Sequence, residues 1–75
     1  MKFRGTLETN DGNVEVFEFE GITKDQAKAE MRERIQGKLV DVAFARLFEI
    51  HRSDVDLICR WSVDSNLVIT EKFMI

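Results

Sequence analysis

The stretch Ile22–Gly37, ITKDQAKAEMRERIQG, carries the strongest helix signal in the chain. Thr23 and Gln26 have the spacing of a capping box, in which each side chain accepts a hydrogen bond from the other residue's backbone N–H. Apolar residues then recur every four positions, at Ala27, Met31 and Ile35. This spacing predicts a helix with one narrow buried stripe. The helix is predicted to run to about Gln36 and to end at Gly37 as its C′ residue.

Two alternating segments precede this helix. Residues 2–9 and residues 14–20 both alternate apolar and polar side chains, as half-buried strands do. The Asp11-Gly12 pair between them predicts a hairpin with a type I′ turn. The alternation changes phase in the second segment, so we predict a β-bulge near Val16 and Phe17. Such a bulge places four side chains on one face: Phe3, Leu7, Val14 and Phe19.

Three further strands are predicted after the helix. Residues 40–52 fit both strand and helix spacing, and the strand is favoured because β-branched and aromatic residues are frequent there. Residues 55–63 alternate clearly, and residues 67–74 follow a short turn at residues 64–66, where Asn66 is able to adopt a left-handed conformation. The order β-β-α-β-β-β predicts one α+β domain over residues 1–75, with an antiparallel sheet and the helix packed on one face.

A two-residue turn at Ser53 and Asp54 sets the predicted sheet register. It pairs Ile50 with Leu57 and Phe48 with Cys59, and it places the even-numbered residues 44–50 on the helix side. Arg46 and Glu71 then interrupt the core pattern, either as an inward pair or with Arg46 stacked on Trp61. The opposite face is called the outer face. Its predicted apolar residues are Ala45, Leu47, Ile58, Val68 and Met74.

Composition excludes several classes of protein. The 75 residues include 11 basic and 14 acidic side chains, for a net charge of −3, and 44% are hydrophobic, which is typical of a globular domain. Cys59 is the only cysteine and His51 the only histidine, so an internal disulfide and a Cys/His zinc site are excluded, and no cofactor is expected. A domain this small has few internal means of stabilisation, which favours a homodimer.

Compartment is predicted from what the sequence lacks. No apolar run is long enough to cross a membrane, so no membrane partner is expected. A lone thiol without a recognisable export signal predicts a cytoplasmic protein. Small size, acidity and the lack of catalytic motifs are typical of phage or mobile-element accessory proteins that bind a host or phage protein.

The leading functional hypothesis is a non-enzymatic protein-interaction or regulatory module. It rests on the outer face, because apolar residues bordered by charged ones are typical of interaction sites. The partner is a protein of unspecified identity, with a homodimer expected. The predicted interface residues are Leu47, Ile58, Arg60, Val68 and Met74.

Two other hypotheses belong to different classes. The segment from Lys24 to Lys38 contains five basic and three acidic residues, a net charge of +2, so Lys24, Lys28 and Arg32 could contact nucleic-acid phosphates. The acidic balance of the whole chain argues against this. An enzyme could use His51 as a general base oriented by Asp56. No convincing nucleophile, phosphate loop or calcium loop accompanies this pair, so no enzyme is expected.

Overall fold

A computed structural model describes residues 1–74 of the chain. Five strands and one helix form in this part of the chain: β1 (Lys2–Thr9), β2 (Val14–Glu20), α1 (Lys24–Gly37), β3 (Val42–Ile50), β4 (Val55–Val63) and β5 (Ile69–Phe73). The strands form one antiparallel sheet in the order β2-β1-β3-β4-β5. The predicted α+β class, the element order and the strand interpretation of residues 42–50 are confirmed.

The helix begins as its sequence predicts. The Gln26 backbone N–H donates to the Thr23 hydroxyl at 3.1 Å, and the Thr23 N–H donates to the Gln26 side chain at 2.8 Å, so the capping box is complete. The predicted apolar stripe is fully buried: Ala27, Met31 and Ile35. Gly37 is the last helical residue and does not adopt the predicted left-handed C′ conformation; Lys38 caps the helix instead.

The hairpin of β1 and β2 is more regular than predicted. The two strands pair without a bulge, so the bulge expected near Val16 and Phe17 is wrong. The strand instead leaves Val14 and Val16 exposed on the outer face and turns Phe17 and Phe19 towards the helix. The predicted type I′ turn is also wrong, because such a turn needs two residues with positive φ and only Gly12, at 90°, has one in this loop.

The predicted register of β3 and β4 is wrong for two reasons. The connecting loop comprises residues 51–54, so Ile50 pairs with Val55. Farther along, Leu47 pairs with Cys59, which leaves Ile58 as the extra residue of a β-bulge. A bulge changes the face on which the following side chains lie. Ile58, Cys59 and Trp61 therefore lie on the helix side, whereas Val55 and Leu57 lie on the outer face.

The faces of β3 are reversed relative to the prediction. Ala45 and Leu47 pack beneath the helix, and the even-numbered residues of β3 from Phe44 to Ile50 lie on the outer face. Both sets are rich in apolar side chains, so alternation alone does not decide between them. The helix passes close to the sheet in this region. A Cβ atom added at Gly5, which pairs with Leu47, would overlap the Met31 sulfur.

In the last hairpin, Val68 and Met74 are exposed as predicted, but the turn differs from the prediction. Trp61 pairs with Glu71 and Cys59 with Phe73 on the helix side. In the turn, the Asp64 carboxylate accepts hydrogen bonds from two backbone N–H groups. The left-handed residue is Leu67, with φ of 63°, and not Asn66.

Candidate functional site

Three basic side chains form a row across the outer face of the sheet. Arg46 on β3 lies directly opposite Arg60 on β4, and Arg60 lies directly opposite Lys72 on β5. All three are exposed. Because neighbouring strands are about 4.8 Å apart, the row spans about 10 Å. Arg46, Arg60 and Lys72 are called the cationic row below.

The cationic row makes no ion pair with any side chain of residues 1–74, where the ion pairs all join other residues. No other outer-face position of β3, β4 or β5 carries a carboxylate; these positions hold Phe44, Phe48, Ile50, Val55, Leu57, Ser62 and Thr70. Like charges directly opposite each other destabilise a sheet. Repulsion within the row is therefore expected to reduce stability, and no ion pair within residues 1–74 offsets it.

The row borders a groove of about 330 Å³. The hydroxyl-bearing residues Ser62 and Thr70 lie directly opposite each other and line the groove beside the row. Phe44 lines it too, and the Arg46 guanidinium lies 5.0 Å from the centre of the Phe44 ring, within the range of a cation–π contact. This contact limits the motion of the guanidinium. The groove is thus lined by cationic and hydroxyl hydrogen-bond donors and by no carboxylate. Such a lining suits a negatively charged ligand.

The predicted interface residues divide into two groups. Arg60, Val68 and Met74 are exposed, with 55% of Val68 and 40% of Met74 accessible. The predicted exposure of Leu47 and Ile58 is wrong, since they are 0% and 8% exposed and belong to the core. The reversed faces of β3 bury Leu47, and the bulge in β4 turns Ile58 towards the helix.

The prediction from sequence did not select Arg46 or Lys72 as contact residues. The assumed register placed Arg46 on the helix side, and Lys72 was not singled out among the outer-face residues. The three members of the row come from three strands and are far apart along the chain. Only the pairing of β3 with β4 and of β4 with β5 brings them together.

The basic residues predicted to contact nucleic acid are engaged within the protein. Lys24 Nζ lies 3.9 Å from the Glu49 carboxylate. Lys28 Nζ lies 4.0 Å from the Asp25 carboxylate and 4.4 Å from the centre of the Phe73 ring. Arg32 donates to both carboxylate oxygens of Glu71, at 2.6 and 3.0 Å. The helix therefore offers less free positive charge than its composition indicates.

Glu71 ties the helix to the edge of the sheet. Its carboxylate accepts hydrogen bonds from Arg32 on the helix and from the indole N–H of Trp61 on β4. The pKa of Glu71 lies below its ordinary value of 4.5, chiefly because Arg32 hydrogen-bonds to the carboxylate, with Trp61 adding to this and burial acting against it. The predicted alternatives for Arg46 are both wrong, because it lies on the outer face, away from Glu71 and the Trp61 side chain.

The residues considered for catalysis are not arranged as a reactive group. His51 Nε2 lies 3.0 Å from Asp56 Oδ2, so the predicted contact is confirmed, but both side chains are exposed and His51 lies in the loop beyond β3. Cys59 is fully buried, and burial raises the pKa of its thiol to about 11. A thiol of this kind is largely protonated near neutral pH and is a poor nucleophile.

Neither a metal cluster nor a membrane helix is found in residues 1–74. No group of three or more His, Cys, Asp or Glu side chains in that range is arranged to hold a metal ion. The helix of this range, with 14 residues, is too short and too polar to cross a bilayer. No protein-family model matches the chain, and neither a search of curated proteins nor a search of solved structures finds a similar protein.

Proposed function

We propose that this protein is a non-enzymatic interaction module whose outer sheet face binds an acidic segment of a partner protein. The observation that carries the proposal is the cationic row, three exposed cationic residues on adjacent strands that make no ion pair with a carboxylate of residues 1–74. Guanidinium groups bind carboxylates through paired hydrogen bonds. Aspartate and glutamate side chains of a partner would supply the negative charge that this face lacks.

Two features support a protein partner over nucleic acid. The chain has a net charge of −3 and a pI of about 5.1, whereas nucleic-acid-binding domains are typically strongly basic. The outer face that carries the row also carries the apolar residues Phe44, Phe48 and Val55. Apolar contacts surrounded by charged ones are typical of protein–protein interfaces, where they suit the apolar side chains of an extended segment.

The proposal is tested with a fluorescein-labelled peptide in which glutamate alternates with serine, and with a matched peptide carrying glutamine in place of glutamate. Fluorescence anisotropy measures binding of both peptides to the wild-type protein, to Arg60→Glu and to Arg52→Glu. Arg60 is the centre of the row, whereas Arg52 is an exposed residue of the β3–β4 loop and makes the same change in charge. Circular dichroism confirms that both variants fold.

We expect the glutamate peptide to bind the wild-type protein and Arg52→Glu, and to bind Arg60→Glu about tenfold more weakly or worse, because like charges then meet at the centre of the interface. Unchanged binding to Arg60→Glu would overturn the proposal. Preference for a single-stranded oligonucleotide over the glutamate peptide would replace the protein partner with nucleic acid.

Self-association forms a separate outcome of the same test. The outer face of β1 and β2 carries Glu8, Glu18 and Glu20, so a second copy of the chain is also an acidic surface. Analytical ultracentrifugation over a range of concentrations measures the oligomeric state of the three proteins. Dimers lost in Arg60→Glu and kept in Arg52→Glu would identify a second copy as the occupant of the row, and would overturn the proposal of a different partner.

A further inference from the structure

We infer that the acidic segment is phosphorylated, and that the cationic row holds the phosphate group of a phosphoserine or phosphothreonine. This inference rests on the proposed function and specifies its ligand. Phosphate is inferred from the arrangement of hydrogen-bond donors around the groove, together with the number of cations.

The donors around the groove match a phosphate group. The two guanidinium groups of Arg46 and Arg60 lie on adjacent strands, and the Lys72 ammonium continues the row. The hydroxyls of Ser62 and Thr70 form the next row of the same groove. A phosphate ester presents three strong acceptor oxygens and a charge of about −1.5 to −2, and arginine clusters are a recurrent means of recognising it.

The density of positive charge favours one phosphate over separate carboxylates. The row places the backbones of three cationic residues within about 10 Å, and Arg60 pairs across the sheet with both of the others. Side chains on the same face of an extended peptide lie about 6.6 Å apart, so two carboxylates approach the row at separate points. A phosphate over Arg60 instead brings nearly two negative charges within reach of both neighbouring cations.

The groove also has room for the residue that carries the phosphate. Its volume of about 330 Å³ is larger than a phosphate group needs, and Phe44 supplies an apolar wall. The Arg46 guanidinium is already held over the Phe44 ring at 5.0 Å. A donor held in place loses less side-chain entropy when the ligand binds, which favours tight binding.

Three labelled peptides with the same acidic flanks test this inference, one with serine, one with phosphoserine and one with glutamate at the central position. Anisotropy titrations compare the wild-type protein, Arg60→Lys, the double variant Ser62→Ala/Thr70→Val, and Arg52→Lys as the matched control. Lysine keeps the charge of arginine but loses its paired hydrogen-bond geometry. Unlabelled inorganic phosphate and a single-stranded oligonucleotide serve as competitors.

We expect the phosphoserine peptide to bind about tenfold more tightly than the serine peptide, with the glutamate peptide between them. Arg60→Lys and Ser62→Ala/Thr70→Val should reduce the preference for phosphoserine, whereas Arg52→Lys should keep it. Competition by the oligonucleotide or by inorganic phosphate at the concentration of the phosphopeptide would overturn the inference, because the row would then hold phosphate from another source.

The failure of this inference is distinguishable from the failure of the proposed function. Equal affinity for the phosphoserine and glutamate peptides, with both lost in Arg60→Glu, would overturn phosphate recognition and leave the binding of acidic segments intact. If none of the three peptides bound, both would be overturned.

Discussion

Gly5 lies inside β1, where the helix passes so close to the sheet that a larger residue should not fit. A Cβ atom added there would overlap the Met31 sulfur, would lie 3.1 Å from the Met31 methyl group, and would lie 3.4 Å from the Phe19 ring. Met31 is fully buried, so its side chain has little space into which it can move. Gly5→Ala should therefore destabilise the protein by overpacking.

The expected magnitude is the difference between two effects. Overpacking a core costs about 1–3 kcal/mol. Replacing glycine with alanine inside a strand stabilises the folded state by about 0.5–1 kcal/mol, because alanine loses less backbone entropy on folding. The net loss for Gly5→Ala is about 1 kcal/mol, which corresponds to a fall of about 4–8 °C in Tm for a domain of this size. Urea unfolding followed by circular dichroism, together with a thermal melt, measures both quantities.

Gly37→Ala is the matched control, because the same substitution is made where the added Cβ has no atom within 4 Å. It should stabilise the protein by about 0.5–1 kcal/mol. A second test repeats Gly5→Ala in a Met31→Ala background, with trimethylamine oxide added to keep the double variant folded. In that background Gly5→Ala should no longer reduce the free energy of unfolding. A Gly5→Ala protein as stable as the wild type, or an equal loss of stability in both backgrounds, would show that contact with Met31 does not restrict position 5 to glycine.

Three other predictions concern charge and backbone conformation. The folded pKa of Glu71 lies below 4.5, so its pairing with Arg32 stabilises the protein above that pH, and this contribution is lost as pH falls through the folded pKa. Glu71→Gln should cost about 1 kcal/mol at pH 7, and urea unfolding from pH 7 to 3 should show a smaller decline than in the wild type. Leu67 has a left-handed φ of 63°, so Leu67→Asn should raise stability in urea unfolding by about 0.5–1 kcal/mol. Arg60→Gln removes its repulsion with Arg46 and Lys72, so a thermal melt at low salt should show a gain of about 0.2–1 kcal/mol.

Each of these predictions has a control. Asp25→Asn replaces another helix-side carboxylate, which is 97% exposed and 4.0 Å from Lys28, and should cost much less stability at pH 7 than Glu71→Gln. Leu67→Ile should destabilise, because a β-branched residue tolerates positive φ poorly. The gain in Arg60→Gln should shrink at about 1 M salt, where exposed charges are screened. A gain that does not depend on salt would contradict an electrostatic cost of the row.

The helix was predictable because its signals are local. The capping box involves residues three positions apart, Thr23 and Gln26, and the buried stripe is read from one four-residue spacing. The face of each strand was harder to predict. The change of phase in residues 14–20 suggested a bulge in β2, but that strand exposes Val14 and Val16 and remains regular. The actual bulge, at Ile58, lies in a strand whose alternation looked uninterrupted.

The candidate site was only partly predictable for the same reason. Exposure of Arg60, Val68 and Met74 followed from alternation, whereas Leu47 and Ile58 were placed on the wrong face. An error of one residue in register exchanges the two faces of a strand. The loop at residues 51–54 moves the pairing by two residues, which keeps the faces, and the bulge at Ile58 supplies the one-residue shift that exchanges them.

The α+β class, the order of the elements and the helix with its cap and buried stripe all follow from local sequence patterns. These features depend on interactions between residues a few positions apart. The strand order β2-β1-β3-β4-β5, the faces of β3 and the assembly of the cationic row depend instead on how the whole chain packs. Strand register is set by contacts between distant segments, such as Met31 over Gly5. Arg46, Arg60 and Lys72 become neighbours only after that choice has been made.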